Sequence, residues 1–208
     1  MMDAQDLLKL DNITIKRGSR VLATDISFTL TRSQGLRLTG PNGSGKSTFL
    51  KTLAGIHYDW HGTICWRGHR ISALPSHMAT HLVSHQNALK PTWTAIQNLS
   101  QWTGQSEEDN LLNALATMNV AHLAHVPCRY LSAGQARRVC LSRLFVTQAE
   151  IWLLDEPGVS LDTAGRDLLA RQIQTFLDHG GMAIIVTHGD VFLPSTLELR
   201  FQAEAVLQ

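Results

Sequence analysis

No uninterrupted apolar stretch in this 208-residue sequence approaches the roughly 20 residues that a membrane-spanning helix needs; residues 151–154 and 182–186 are typical of the longest. Any association with a membrane is therefore expected to run through a partner. An excess of either charge is also lacking. The chain has 18 Lys and Arg against 17 Asp and Glu, a formal charge of +1, so no field draws in a polyanion and no nucleic-acid partner is expected. Cysteine is scarce and odd in number. Cys65, Cys128 and Cys140 show no ligand or disulfide pattern, which fits packing roles in a reducing compartment. The opening residues MMDAQDLLKLDN carry acidic side chains and no basic-then-apolar segment, so no secretory signal is expected and the cytoplasm is the expected compartment. Repeats, low-complexity tracts and long charge runs are missing too. What is present, 44% hydrophobic and 17% charged residues, suffices for one sizeable core or two closely joined lobes.

Segments rich in apolar and β-branched residues at 10–15, 21–30 and 35–39 read as strands, and they lead to a glycine-rich loop followed by helically spaced Phe49, Leu50 and Leu53. Further short strands are expected at 64–66, 81–84, 151–154 and 183–187, with a helix over about 162–179. This alternation predicts an α/β chain whose mostly parallel sheet is covered by helices. From about 87 to 148 the strand signal vanishes, and segments such as 107–118 and 133–147 carry helical periodicity. That stretch reads as an inserted helical lobe.

The loop Gly40-Pro41-Asn42-Gly43-Ser44-Gly45-Lys46-Ser47 fits G-x-x-x-x-G-K-[ST] and lies between an expected strand and an expected helix, the setting the motif requires. Glycines let the backbone turn tightly, so that amides converge on phosphate oxygens at the positive end of the following helix. Lys46 is placed to reach the β- and γ-phosphates and the Ser47 hydroxyl to bind Mg²⁺, with Thr48 completing the nucleotide-binding set. Residues 151–154 form an apolar strand ending in Asp155 and Glu156, whose side chains leave a strand on opposite faces. Asp155 is expected at the metal and Glu156 at the attacking water as general base, a role commonly worth about 10²–10⁴ in rate.

Leu131-Ser132-Ala133-Gly134-Gln135, followed by Arg137 and Arg138, resembles the signature of the ABC family. The resemblance implies a P-loop NTPase fold of ABC type, with an antiparallel β part near the N-terminus, the parallel core and the helical lobe, over 1–208 as a single nucleotide-binding domain. Its core lobe spans 1–86 and 149–208, and its signature lobe spans 87–148. Ser132 and the amides of Ala133, Gly134 and Gln135 at a helix start make a second anion site. Family architecture keeps that site away from the glycine loop of the same chain, so two copies are expected to sandwich two ATP molecules, with Mg²⁺, head to tail. Ala133 departs from the commoner Gly, but an amide remains and hydrolysis is expected to survive. By the same resemblance Gln86 connects metal or water to the helical lobe, Asp162 contacts the opposing subunit, and His188 bonds the γ-phosphate. Where most members stack an aromatic on adenine, this sequence offers Arg17. Its guanidinium plane either stacks on the base, leaving ATP and GTP poorly distinguished, or is a solvated turn residue.

The brevity of the chain after His188 argues against members with an appended regulatory domain, paired cassettes or long coiled coils. The sequence is most similar to the ATP-binding subunits of the haem-exporter-type complex of bacterial cytochrome c maturation. The similarity rests on compact size, Arg17, His85-Gln86, residues 131–139 running into 142–144, and 151–157. It implies an ATPase bound peripherally through integral membrane subunits at the cytoplasmic face of the inner membrane, powering haem export or release of a haem-loaded chaperone. A soluble ABC ATPase that remodels a protein complex, and a small exporter ATPase for another substrate, are the alternatives. His77, His81 and His85 are spaced four apart, but 81–84 reads as a strand, where no common ligand face forms. Trp93 and Trp102 belong either to a partner-binding groove or to the core of the helical lobe.

Overall fold

The computed structural model describes residues 8–74, 80–187 and 196–201, which form two sheets and their covering helices. β1 (Leu8–Arg17) and β2 (Arg20–Leu30) make an antiparallel hairpin, with Arg17 opposite Arg20. The buried positions of β1 are Leu8, Leu10, Ile13 and Ile15, an alternation broken once. The ladder shifts register between Leu10 and Ile13, where Asn12 adopts φ 53°, and this irregularity returns both pairs to the same buried face. β4 (Trp60–Trp66) pairs with β1 and with β5 (His69–Ile71), giving the order β2-β1-β4-β5. Residues 64–66 are thus a strand as expected, but they belong to the antiparallel sheet; three apolar residues look alike in either setting.

The second sheet holds β3 (Gly35–Thr39), β6 (Thr80–Val83), β7 (Ile151–Asp155), β8 (Met182–Val186) and β9 (Thr196–Arg200) in the order β6-β7-β8-β3-β9, and every pairing is parallel. β7 and β8 are apolar along most of their length because both faces are covered. Ile151, Leu153, Met182, Ile184 and Val186 join the core shared with α1 (Lys46–Leu53) and the antiparallel sheet. Trp152, Leu154, Ala183 and Ile185 point the other way, into the core shared with α5 (Thr163–Asp178) and the helical region. Burying one Leu or Ile side chain contributes roughly 1.5–3 kcal/mol, so a one-residue slip would disrupt both cores together. The Trp152 ring stacks flat on Phe176 at 3.8 Å and meets Phe145 edge-on at 5.6 Å, which fixes the second core against the sheet.

Between β6 and β7 lie α2 (Ala95–Thr103), α3 (Glu108–Thr117) and α4 (Ala133–Ser142). Thr94 with Gln97, and Ser132 with Gln135, form reciprocal capping boxes that start α2 and α4. The helix expected over 133–147 is shorter: after Ser142 the chain tightens into a 3-10 turn, Arg143–Phe145, on its way to β7. Cys128 and Cys140 are buried and Cys65 is half-buried, all three with free thiols, and burial pushes the first two thiols' pKa values up. They act as packing residues.

Candidate functional site

A parallel sheet directs its strand C-termini to one edge, and in open α/β sheets ligands bind beyond that edge. Gly40 follows β3, residues 84–86 follow β6, Glu156 follows β7 and buried Thr187 follows β8. His188, like His77, lies outside the described residues.

The loop from β3 to α1 depends on two glycines. At Gly40, with φ 132°, an added Cβ would sit 2.3 Å from the Phe201 carbonyl oxygen; at Gly45, with φ 95°, it would sit 3.0 Å from Leu22 Cβ. Lys46 is 6% exposed and donates to the Gly40 and Pro41 carbonyls, each at 2.8 Å. Burial pushes its pKa down, and the nearby Glu156 and Asp155 carboxylates oppose that shift. The Ser44 hydroxyl is buried without a protein partner. An orphaned donor at the start of a helix suits a phosphate oxygen.

Ser47 Oγ donates to Asp155 Oδ1 at 2.9 Å, tying α1 to the end of β7. Among the described residues no group of three or more His, Cys, Asp or Glu could hold a metal ion alone. The Ser47 and Asp155 oxygens instead fit Mg²⁺, which takes few protein ligands and fills its shell with phosphate oxygens and water. Glu156, the next residue, adopts φ 49°, uncommon for a side chain with a Cβ. Its amide donates to the Val186 carbonyl at 2.9 Å, and its Oε2 lies 3.2 Å from His85 Nδ1. Strain of this kind persists only where surroundings over-determine it, and it concentrates at active sites.

A cleft of about 390 Å³ brings these parts together, lined by Arg17, Arg20, Leu22, Asn42, Gly43, Gly45, Lys46, Ser47, Thr48 and Glu156. Arg17 therefore stands on the cleft wall. Sequence reasoning missed Arg20 and Leu22, although the two-residue turn after Arg17 signals a hairpin that brings β2 back to the same place. It also did not place His85 beside Glu156, because that contact exists only once the ends of β6 and β7 are neighbours. Gln86 is exposed beyond the end of β6.

Ser132, Ala133, Gly134, Gln135 and Asp162 are not among the residues lining this cleft. Ser132 Oγ accepts from the Gln135 amide at 3.2 Å, and Gln135 Oε1 accepts from the Ser132 amide at 2.9 Å. At Gly134 an added Cβ would sit 2.9 Å from the Ser160 carbonyl oxygen, so the signature helix packs directly on the segment after the carboxylates. Asp162 caps α5 through the Gly165 amide and pairs with Arg138 at 2.7 Å. These contacts, Arg138 first, hold its carboxyl below the usual range.

His81 lies in β6 and not on a helix. Its Nδ1 is 3.1 Å from Thr147 Oγ1, and burial, followed by the Arg143 charge, pushes its pKa down to about 3. A structural neutral imidazole results, away from His85. Trp102 and Trp93 are both half-buried, under the cations of Arg143 and Lys90. Trp102 also lines a cleft of about 630 Å³ with Ile56, His81 and Arg143. No helix among the described residues is long and apolar enough to cross a membrane.

A phosphate-binding loop, two carboxylates ending a neighbouring parallel strand and a capped signature helix together define a nucleotide-hydrolysing cassette of ABC type. The ABC transporter family model matches residues 23–159. The cytochrome c biogenesis ATP-binding export protein CcmA of Paramagnetospirillum magneticum is 36% identical over 205 residues, covering 95% of this chain and 94% of that protein. The CcmA protein of Rhodobacter capsulatus is 40% identical over 187 residues, 90% of this chain and 83% of that one. Among solved structures, a dimeric ATP-binding cassette in a post-hydrolysis state with ADP and phosphate superposes with a TM-score of 0.77 at 22% identity, over 87% of this chain and 88% of that one. The chain belongs to the ABC transporter family and, within it, to the CcmA group of cytochrome c biogenesis ATP-binding export proteins. It is a nucleotide-binding ATPase.

Proposed function

We propose that this chain supplies the power stroke of a membrane complex in c-type cytochrome biogenesis, hydrolysing ATP to drive haem export or release of a haem-loaded chaperone. The supporting observation is the cleft in which Lys46, Ser47 and Glu156 converge, with Asp155 bound to Ser47 behind them. Gly40 to Thr48 bind the triphosphate, Lys46 exchanging a loop carbonyl for β- and γ-oxygens. Ser47, Asp155 and Gln86 would hold Mg²⁺, whose charge would offset that of the transferred group. Glu156 takes a proton from water as its oxygen bonds to the γ-phosphorus and the bond to ADP breaks, and His188 bonds the departing phosphate. Arg17, on the wall of the cleft, would meet the base.

The second half of the site comes from a second copy, because Ser132 and the start of α4 do not line the chain's own cleft. Opening of the Ser132–Gln135 capping box would release two amides for the other copy's γ-phosphate, with Asp162 reaching across beside it. The division into a core lobe, 1–86 and 149–208, and a signature lobe, 87–148, gives this movement its two bodies. Integral membrane subunits anchor the complex at the cytoplasmic face of the inner membrane. Trp102 and the cleft beside Ile56 offer them a surface. Replacing the chromosomal copy by Lys46→Ala tests the reading: haem-stained c-type cytochromes should disappear while solubilised membranes still yield the variant with its integral subunits. Unchanged cytochrome content, or a native chain found wholly outside the membrane fraction, overturns it.

A further inference from the structure

Arg137 is 2% exposed, in a helix whose neighbouring buried positions are Val139, Cys140 and Leu141. An isolated guanidinium in such a place is costly, so its bonds must answer for it. Nε donates to the Pro157 carbonyl at 3.1 Å. Nη1 reaches the carbonyls of Ser84 at 2.9 Å and His85 at 3.3 Å, and Asn87 Oδ1 at 3.2 Å. Nη2 reaches the carbonyls of Asp155 at 3.2 Å and Glu156 at 2.8 Å. One side chain thus binds the segment that carries Gln86 and the segment that carries the two carboxylates. Neither segment is linked to the other in this stretch by a strand ladder, because β6 ends at Val83 and its last partner on β7 is Leu154.

We infer that Arg137 is a positioning residue that transmits the attitude of the signature helix to Glu156. The inference rests on the sandwich reading for its origin, the start of α4, and on the chain's own geometry for its target. Arg137 lies little more than one helical turn beyond Ser132, so a tilt of α4 by an opposing nucleotide moves the guanidinium with it. At the other end the acceptor is the carbonyl of the very residue held at φ 49°. A left-handed glutamate needs external fixing, and Arg137 supplies part of it from a helix that the second nucleotide touches. The same guanidinium holds the His85 carbonyl, and so sets the reach of the imidazole that meets Glu156 Oε2. Arg137 does not line the cleft and acts through the segments it binds. It makes hydrolysis at one site answerable to occupancy of the other.

The test uses the full chain carrying Arg137→Lys, which keeps the charge but cannot span both segments, or Arg137→Gln, which keeps a donor without the charge. Melting temperature, affinity for a fluorescent ATP analogue, steady-state ATPase and its Hill coefficient are measured. Arg137→Lys should bind the analogue within about twofold of the parent, and kcat should fall about 10- to 100-fold, the scale of an ångström of misplacement. The Hill coefficient should move toward one. Parental kcat and Hill coefficient in both variants overturn the inference, as does a loss of kcat that only follows a matching loss of melting temperature and nucleotide affinity. The Glu156→Gln chain separates the two readings. If it stays monomeric with ATP while Arg137→Lys still lowers kcat at unchanged affinity, the sandwich is wrong and the brace on Glu156 stands.

Discussion

Glu156→Gln removes one negative charge and almost no volume, and the structure indicates what it should leave intact. The left-handed turn is anchored through the main chain, from the Glu156 amide to Val186 and from Arg137 to the Glu156 carbonyl, and neither bond uses the carboxylate. The side chain is 25% exposed and its His85 partner 56% exposed, so losing that pair costs within about 1 kcal/mol of stability. Catalysis is another matter. A general base contributes about 10²–10⁴ in rate, which is roughly 3–5 kcal/mol of barrier. The variant should therefore fold with a parental melting temperature, bind ATP no more weakly than the parent, and release phosphate at least about 100-fold more slowly. With hydrolysis slowed, the ATP-bound pair of chains should persist, visible as an ATP-dependent dimer by size exclusion with light scattering. Phosphate release at the parental rate would refute the assignment of the base. A slow variant whose melting temperature also collapses would refute the account of what holds the turn.

Lys46→Ala removes two charge-assisted bonds to the loop and the cation proposed to meet the phosphates. At roughly 1.5–3 kcal/mol for one such bond transferred to ATP, affinity should fall about 10- to 100-fold, and titration with a fluorescent analogue checks this. Gly40→Ala places a methyl 2.3 Å from the Phe201 carbonyl at φ 132°, so the folded state should lose at least about 1–3 kcal/mol, read from urea unfolding; a parental midpoint contradicts the close approach. His81 is held at about 3 against an ordinary 6.5, so between those values the unfolded chain binds a proton that the native chain does not. Stability should fall as the pH drops below 6.5, by up to ~2 kcal/mol at pH 5. His81→Gln should flatten that part of the profile, and identical pH slopes for both chains count against a buried neutral imidazole.

The sequence by itself determined the parts whose chemistry is local. Gly40 to Ser47 must turn tightly before a helix, Asp155 and Glu156 must stand at the end of a buried strand, and Ser132 with Gln135 must start a helix, because each depends on the dihedral freedom, burial or capping of a few adjacent residues. Parallel strands were legible for the same reason in the apolar runs of β7 and β8. β4 was not assigned to its sheet, since pairing partners are chosen by residues far away. Helix α4 stops at Ser142 where periodicity ran on to 147, because the path to β7 overrides a pattern that a 3-10 turn also satisfies. Only the tertiary structure decided what meets what. It set His85 beside Glu156, Ser47 on Asp155, Arg17 and Arg20 on one wall of the cleft, and Arg137 across two segments that lie far apart in sequence. An arginine five residues into a helix reads as surface until the strand ends arrive to accept its hydrogen bonds, and their arrival depends on strand order, which no local pattern encodes.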